Sequence, residues 1–114
     1  MIKEPKKTFQ RGTERHPVTI PIRVTVFEKA KYVEFGGEAS DFSANGLCLV
    51  LTRQLEKGTA VSMTFQLPYN SQPMDMRGLV RHRNGFHHGV EFISVQPHAK
   101  KLLERASKIL GLLS

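Results

Sequence analysis

The chain has 114 residues and a formal net charge of +7, with one Cys, no Trp and 39% hydrophobic residues. This length suits one domain and is short for a multidomain enzyme, and one Cys excludes a disulfide framework or a thiolate zinc site. No apolar run approaches the roughly 18–20 residues of a membrane-spanning helix, and no apolar stretch follows the basic start, so we expect no membrane insertion, no secretory signal and a cytoplasmic location.

The charge is unevenly distributed along the chain. Residues 1–31 and 77–114 each carry a net charge of +5, whereas residues 32–76 carry a net charge of −3. If the two ends of the chain meet in space, they form a basic face that attracts phosphate-bearing partners. A net charge of this size also serves solubility alone, so charge does not decide between the two interpretations.

Residues 1–17 predict a flexible basic arm, because they lack hydrophobic periodicity and contain two prolines. From Val18 the apolar residues alternate with polar ones, which is the period of a strand with one buried face. The predicted strands lie near 18–26, 32–41, 47–51, 61–67, 74–84 and 89–93. Six short strands separated by turn residues predict an all-β barrel or sandwich over residues 18–95.

Residues 96–114 predict a C-terminal amphipathic helix. Pro97 suits the first helical position, apolar residues recur at helical spacing from Ala99 to Leu113, and Gly111 is expected to end the helix. Packing of this helix on its own barrel is the simpler interpretation. The alternative is a helix that recruits a partner, including a second copy of the chain in a homodimer.

The sequence lacks the motifs of common enzymes. It contains no nucleophile elbow, no Walker loop and no dinucleotide fingerprint, so we expect a non-catalytic protein. Cys48 lies in an apolar run and is expected to be a small buried side chain. His87 and His88 should point to opposite faces of a strand, and the other His residues have no carboxylate or Cys at ligand spacing. We therefore expect no metal and no cofactor.

Two short motifs carry groups that suit an anionic, guanine-containing ligand. Arg11 and Arg15 lie on the arm, and a guanidinium fits phosphate oxygens and the O6 and N7 atoms of guanine. In the second motif, the Asp41 carboxylate can accept hydrogen bonds from guanine N1–H and its amine, Ser43 offers a hydroxyl, and Gly46 permits positive φ and close ligand approach. Each motif alone also fits a solvated charge run or an ordinary turn.

In this order, RGTER (11–15) and DFSANG (41–46) resemble the paired motifs of the PilZ domain family, bacterial receptors for cyclic di-GMP. The run GLVRHRNGFHHGVEF (78–92) is similar to the family's last two strands, and the resemblance covers residues 9–110. It implies a six-stranded antiparallel barrel with a C-terminal helix, which binds cyclic di-GMP on its outer surface. Because the arm is expected to be flexible, we also expect the ligand to order it against the barrel and the protein then to signal to an effector protein. Control of motility, exopolysaccharide or virulence is compatible with the resemblance.

The resemblance assigns ligand binding to five residues. The two arginines bind the Hoogsteen edge of guanine and the phosphates, the aspartate reads the Watson–Crick edge, and the serine and glycine lie against the nucleotide. These residues are Arg11, Arg15, Asp41, Ser43 and Gly46.

The sequence departs from the family pattern at two places. Gln10, a weaker candidate contact, stands where some members have a further Arg and bind two stacked cyclic di-GMP molecules, which leaves the number of ligands open. On the fifth strand, Arg81 and Arg83 occupy a region that is often aromatic, so both are weaker candidate contacts, as is Arg77.

Two other functions compete with this hypothesis. A small basic barrel can bind RNA or single-stranded DNA, although few aromatic residues are available for stacking and the middle of the chain is acidic. A PilZ-like scaffold that binds proteins without nucleotide is the second alternative. The two intact motifs disfavour it.

Overall fold

The computed structural model describes residues 14–113. Over this range, six strands form a closed antiparallel barrel in the order β1-β2-β3-β6-β5-β4. The elements are β1 (His16–Glu28), β2 (Lys31–Ser43), β3 (Gly46–Leu51), β4 (Ala60–Gln66), β5 (Pro73–Asn84), β6 (His87–Ile93) and helix α1 (Pro97–Leu113). The six-stranded barrel with a C-terminal helix that the sequence predicted is confirmed.

β1 and β2 differ in extent from the sequence prediction. β1 begins at His16, so the last two residues assigned to the arm belong to the barrel, and residues 1–13 lie outside the described part of the chain. β2 extends from Lys31 to Ser43 and runs continuously through Gly36 and Gly37. Pairing with β1 continues on both sides of these glycines, because Phe35 lies opposite Val24 and Glu38 lies opposite Pro21.

The barrel core consists of the inward-facing side chains of the strands. In β1, for example, Ile20, Ile22, Val24 and Val26 are buried, and the residues between them are more exposed. Burial of these apolar surfaces is the main force that stabilises the barrel. The intervening positions point outward, and the Asp41 side chain is partly exposed on the outer surface.

Helix α1 packs against the barrel through Leu103 and Ala106, which are buried. It begins at Pro97 as predicted, but the prediction that Gly111 ends it is wrong, since the helix continues to Leu113. A glycine inside a helix costs only about 1 kcal/mol relative to alanine, which the last helical turn tolerates. Within residues 14–113, the helix is not long and apolar enough to cross a membrane.

A fully buried histidine connects one end of the barrel to two loops. The Leu55 N–H donates to His88 Nε2 at 2.9 Å, so His88 Nδ1 carries the proton and donates to the Phe86 carbonyl at 2.9 Å. Burial lowers the pKa of His88, and the nearby Arg83 and His87 lower it further. His87 is exposed, which confirms that the two adjacent histidines point to opposite faces.

Candidate functional site

Arg15 of the first motif contacts Asp41 of the second motif immediately before the start of β1. Arg15 Nη1 donates to Asp41 Oδ1 at 2.6 Å, across 26 positions of sequence. The strand register explains the meeting, because Pro17 of β1 lies opposite Asp41 of β2, and residues two apart point to the same face. The fold therefore places a guanidinium donor beside a carboxylate acceptor.

This ion pair is open to solvent and uses only part of each group. The side chains of Arg15 and Asp41 are 51% and 32% exposed, so the pair contributes less than about 1 kcal/mol to stability. The contact joins one guanidinium nitrogen to one carboxylate oxygen. The other oxygen of Asp41 forms no hydrogen bond to any residue within 14–113, so it can accept one from a ligand.

Ser43 uses its hydroxyl inside the turn between β2 and β3. It accepts a hydrogen bond from the Asn45 N–H at 3.2 Å and donates to the Gly46 carbonyl at 3.4 Å. Its side chain is almost fully enclosed, since the residue is only 2% exposed. The hydroxyl therefore stabilises the turn that follows Asp41, as serine commonly does in short turns.

Gly46 is required by close strand packing. Positive φ occurs at Gly58 and Gly85 but not at Gly46, so the expectation of a positive φ there is wrong. A Cβ atom at this position would overlap the carbonyl oxygen of Val90 and lie 3.2 Å from the Cα atom of Glu91. The absence of a side chain allows β3 to approach β6 at the edge of the site.

A row of outward-facing positions leads from Asp41 across four strands. Asp41 lies opposite Cys48, Cys48 lies opposite Gly89, and Gly89 lies opposite His82. The row spans about 14 Å, since adjacent strands lie about 4.8 Å apart. His82 covers Gly89, because its ring occupies the position that a Cβ atom of Gly89 would take. Within this row, Cys48 lies between Asp41 and Gly89, and its side chain is small.

Cys48 belongs to this outer row and not to the core. Its neighbours Leu47 and Leu49 are fully buried, whereas Cys48 is half-buried on the opposite side of β3. The prediction of a buried thiol is therefore wrong. The apolar run misled it, since an apolar strand sequence does not show which face a small residue occupies.

Two of the three arginines of β5, Arg81 and Arg83, already have partners. Arg81 Nε donates to Glu91 Oε1 at 2.6 Å, and Arg83 Nη1 donates to Gln54 Oε1 at 3.0 Å. The register shifts between Val80 and His82, which breaks the strict alternation assumed from sequence. As a result His82, which sequence reasoning overlooked, is the residue of β5 that lies in the row from Asp41.

The remaining candidates are placed as follows. Arg11 and Gln10 lie outside the described residues, and Arg77 is exposed on β5 opposite Ile93, away from the row that contains Asp41. His16 was assigned to the arm, but it is buried, and its Nε2 lies 3.2 Å from Ser107 Oγ of α1. Among residues 14–113, no three His, Cys, Asp or Glu side chains are grouped to hold a metal ion.

The site therefore combines a hydrogen-bond donor and an acceptor that contact each other with a row of positions that leads from the acceptor to His82, which suits recognition of a flat heterocycle. A model of the PilZ domain matches residues 9–108. The chain belongs to the PilZ domain family. A search of the curated protein sequences finds no match to this PilZ chain.

Solved structures of other PilZ-fold proteins superpose well on the chain. The PilZ domain of CeSA from a cellulose-synthesizing bacterium has a TM-score of 0.66 at 16% identity, covering 90% of this chain and 100% of that one. The Bacillus subtilis inhibitor of motility MotI/DgrA has a TM-score of 0.74 at 14% identity, covering 92% of this chain but 52% of that one. The PilZ domain of Escherichia coli YcgR, solved with cyclic di-GMP, has a TM-score of 0.68 at 14% identity, covering 91% and 93%. At these low sequence identities, the structural similarity shows the shared fold alone.

Proposed function

We propose that this chain is a non-catalytic receptor that binds cyclic di-GMP on the outer face of its barrel. The observation that carries the proposal is the 2.6 Å contact between Arg15 and Asp41. Membership in the PilZ family supports it, as does the structure of YcgR, a PilZ domain solved with cyclic di-GMP. The ligand would lie between the segment that carries Arg15 and the turn that follows Asp41.

The chemistry of guanine matches the two groups. Its Hoogsteen edge presents the acceptors O6 and N7, which suit a guanidinium, and its Watson–Crick edge presents N1–H and an amine, which suit a carboxylate. Arg15 and Arg11 would serve the first edge and the phosphates, and Asp41 would serve the second. Because the existing ion pair is exposed and weak, opening it to admit the base costs little.

The surface beside Asp41 suits one face of the bound nucleotide. Cys48 is small, and the ring of His82 lies beyond it over Gly89, so a purine can lie against the row without displacing a large side chain. Ser43 and Gly46 would act mainly by holding the turn, because the serine hydroxyl bonds within it and the glycine permits close strand packing.

Binding would change the protein by fixing the segment from Gln10 to Arg15 against the barrel. Fixing a residue costs about 1–2 kcal/mol of conformational entropy, so stacking and the contacts of Arg11, Arg15 and Asp41 must together exceed this cost. The fixed segment would then present a changed surface to an effector protein. Gln10 removes one cation from this segment, and calorimetry would decide between one and two ligands per chain.

We propose a signalling role in the bacterial cytoplasm, with motility, exopolysaccharide or virulence as the process under control. Motility is named for the Bacillus subtilis protein of the same fold, and cellulose synthesis for the source of CeSA. A knockout that leaves both swimming and exopolysaccharide unchanged would direct attention to virulence.

Calorimetric titration of the protein tests the ligand. We expect micromolar binding of cyclic di-GMP, about −8 kcal/mol, and weaker binding of GTP. A short oligonucleotide, titrated at two salt concentrations, serves as the comparison. Steeply salt-dependent oligonucleotide binding without cyclic di-GMP binding would favour a nucleic-acid-binding barrel. Absence of binding to all three would favour a protein-interaction scaffold.

A further inference from the structure

One stripe on the solvent-facing side of α1 carries cations and no carboxylate. Residues that recur every three or four positions lie on one stripe of a helix, and here that stripe faces away from the buried Leu103 and Ala106. All of its members are exposed. The stripe, which we call the basic stripe, consists of His98, Lys101, Arg105, Lys108 and Leu112.

Glu104, the acidic residue of α1, lies beside this stripe and forms no ion pair with any residue within 14–113. It lines a groove with Ala44 and Asn45 of the turn between β2 and β3, and Glu14, Lys108 and Leu112 line the same groove. Within residues 14–113, Lys101, Arg105 and Lys108 form no ion pair. On or beside the barrel, Arg15, Arg23, Arg53 and Arg81 each have a carboxylate partner, whereas Lys31, Lys57 and Arg77 have none among residues 14–113.

Exposed apolar side chains border the same stripe. Leu112 and Leu113, at the end of α1, are 80% and 65% exposed. Tyr69, in the loop between β4 and β5, is 63% exposed and lines a small cleft with Arg105 and Ile109. Its φ of 64° lies in the left-handed region, which a residue with a side chain adopts at a cost. Large apolar and aromatic groups thus lie beside unpaired cations.

We propose that the basic stripe docks on the surface of an anionic lipid bilayer, with Leu112, Leu113 and Tyr69 entering the headgroup region. Cations near a bilayer surface are attracted by anionic lipids, and leucine and tyrosine favour the interface. From His98 to Leu112 the stripe is about 21 Å long, which allows its cations to contact several headgroups at once. Exposed leucines favour lipid over nucleic acid, which would bind through cations and stacking.

This proposal does not rest on binding of cyclic di-GMP, because its residues lie outside the Arg15–Asp41 site. The probe is a set of vesicles, one of phosphatidylcholine alone and one in which a third of the lipid is phosphatidylglycerol. Co-sedimentation of the ligand-free protein with each is measured at low and near-physiological salt. We expect binding to the anionic vesicles only, and weaker binding at the higher salt, where surface charges are screened.

Matched charge-neutralising variants locate the surface. The triple variant Lys101→Gln, Arg105→Gln and Lys108→Gln should lower partitioning onto anionic vesicles more than about tenfold. The control variant changes two Lys and one Arg that are exposed on the barrel hairpin, a loop and β5: Lys31→Gln, Lys57→Gln and Arg77→Gln. It removes the same net charge and should retain most of the binding.

A second pair of substitutions tests the apolar contribution. Leu112→Ser with Leu113→Ser should lower the binding that remains at near-physiological salt, and circular dichroism would verify that both sets of variants retain α1. Equal loss in the helix and barrel charge variants would overturn the proposal, because it would reflect net charge alone. Absence of vesicle binding by the wild type, or binding of an oligonucleotide in its place, would overturn it as well.

Discussion

The two halves of the candidate site are held in place by different forces. The half that carries Asp41 belongs to the barrel, where β2 and β3 pair from Gly37 to Gly46 and β3 pairs onward with β6. The half that carries Arg15 precedes β1 and is held by one exposed ion pair and by the neighbouring His16, which contacts α1. One half is a rigid acceptor, and the other is a donor that can move to a ligand.

A second ion pair on the barrel shows that charge alone does not create this difference. Arg81 and Glu91 also meet at 2.6 Å and are also half-exposed. Both of these residues belong to strands that pair with each other, so neither backbone can leave the other. Arg15 lies outside any strand, so we propose that a ligand recruits Arg15 and not Arg81.

Among changes to the half that carries Asp41, a substitution at Gly46 is expected to destabilise the protein most. Gly46→Ala adds a Cβ atom that overlaps the Val90 carbonyl, so β3 and β6 must separate. We expect the free energy of unfolding to fall by about 2–3 kcal/mol, measured by urea denaturation.

Gly36→Ala is the matched control for this prediction. A Cβ atom at Gly36 would lie 4.0 Å from the Ile22 carbonyl oxygen, which is an ordinary distance. The substitution should be neutral or slightly stabilising, because alanine loses less backbone entropy on folding. Equal destabilisation by both changes would refute the steric role of Gly46.

In the half that carries Arg15, removing the guanidinium is expected to weaken ligand binding. Arg15→Ala should weaken cyclic di-GMP binding tenfold or more, equivalent to about 1.4 kcal/mol, as measured by calorimetry. Its unfolding free energy should change by less than about 1 kcal/mol, because the ion pair is exposed. Arg81→Ala provides the comparison and should leave affinity nearly unchanged. If Arg81→Ala weakened binding as much as Arg15→Ala, backbone freedom would not distinguish the two arginines.

A nearly isosteric substitution at Asp41 tests whether its carboxylate recognises guanine. Asp41→Asn keeps one oxygen acceptor but replaces the other with an amide NH2 group, which faces the guanine donors as a donor itself. It also removes the negative charge that pairs with Arg15. We expect affinity for cyclic di-GMP to fall about fivefold to tenfold, with a smaller advantage over cyclic di-AMP in competition. An unchanged preference for guanine would show that Asp41 does not read the base.

The smallest expected effect is a pH dependence of barrel stability that arises from His88. The pKa of His88 is lowered by burial, so folding favours the neutral ring. The stability that it contributes is present above its unfolded pKa of about 6.5 and decreases as the pH falls below that value. The decrease is at most about 1.4 kcal/mol per pH unit for one proton.

Thermal unfolding between neutral and mildly acidic pH measures this effect. His88→Gln keeps a group that can accept from the Leu55 N–H but does not titrate, so its unfolding should depend less on pH. His88→Gln should leave the affinity for cyclic di-GMP at neutral pH nearly unchanged, since His88 lies in the interior and not in the site. A pH dependence identical in both proteins would assign the effect to other groups.

Some features of the fold were predictable from the sequence, because they follow from local patterns. The alternation of Ile20, Ile22 and Val24 requires one buried strand face, and Pro97 marks the start of the helix. The position of Cys48 was not predictable, because an apolar run does not state which face is inside. The inclusion of His82 in the outer row depended on a register shift in β5, for which the sequence shows no signal.

The amino-acid sequence by itself determined the six strands, the terminal helix and the two motifs, because periodicity and turn residues act over a few positions. Only the tertiary structure decided that Arg15 contacts Asp41, that Gly46 is needed for strand packing, and that the cations of α1 form one unpaired stripe. These features depend on barrel closure and strand register, which bring together residues far apart in the chain.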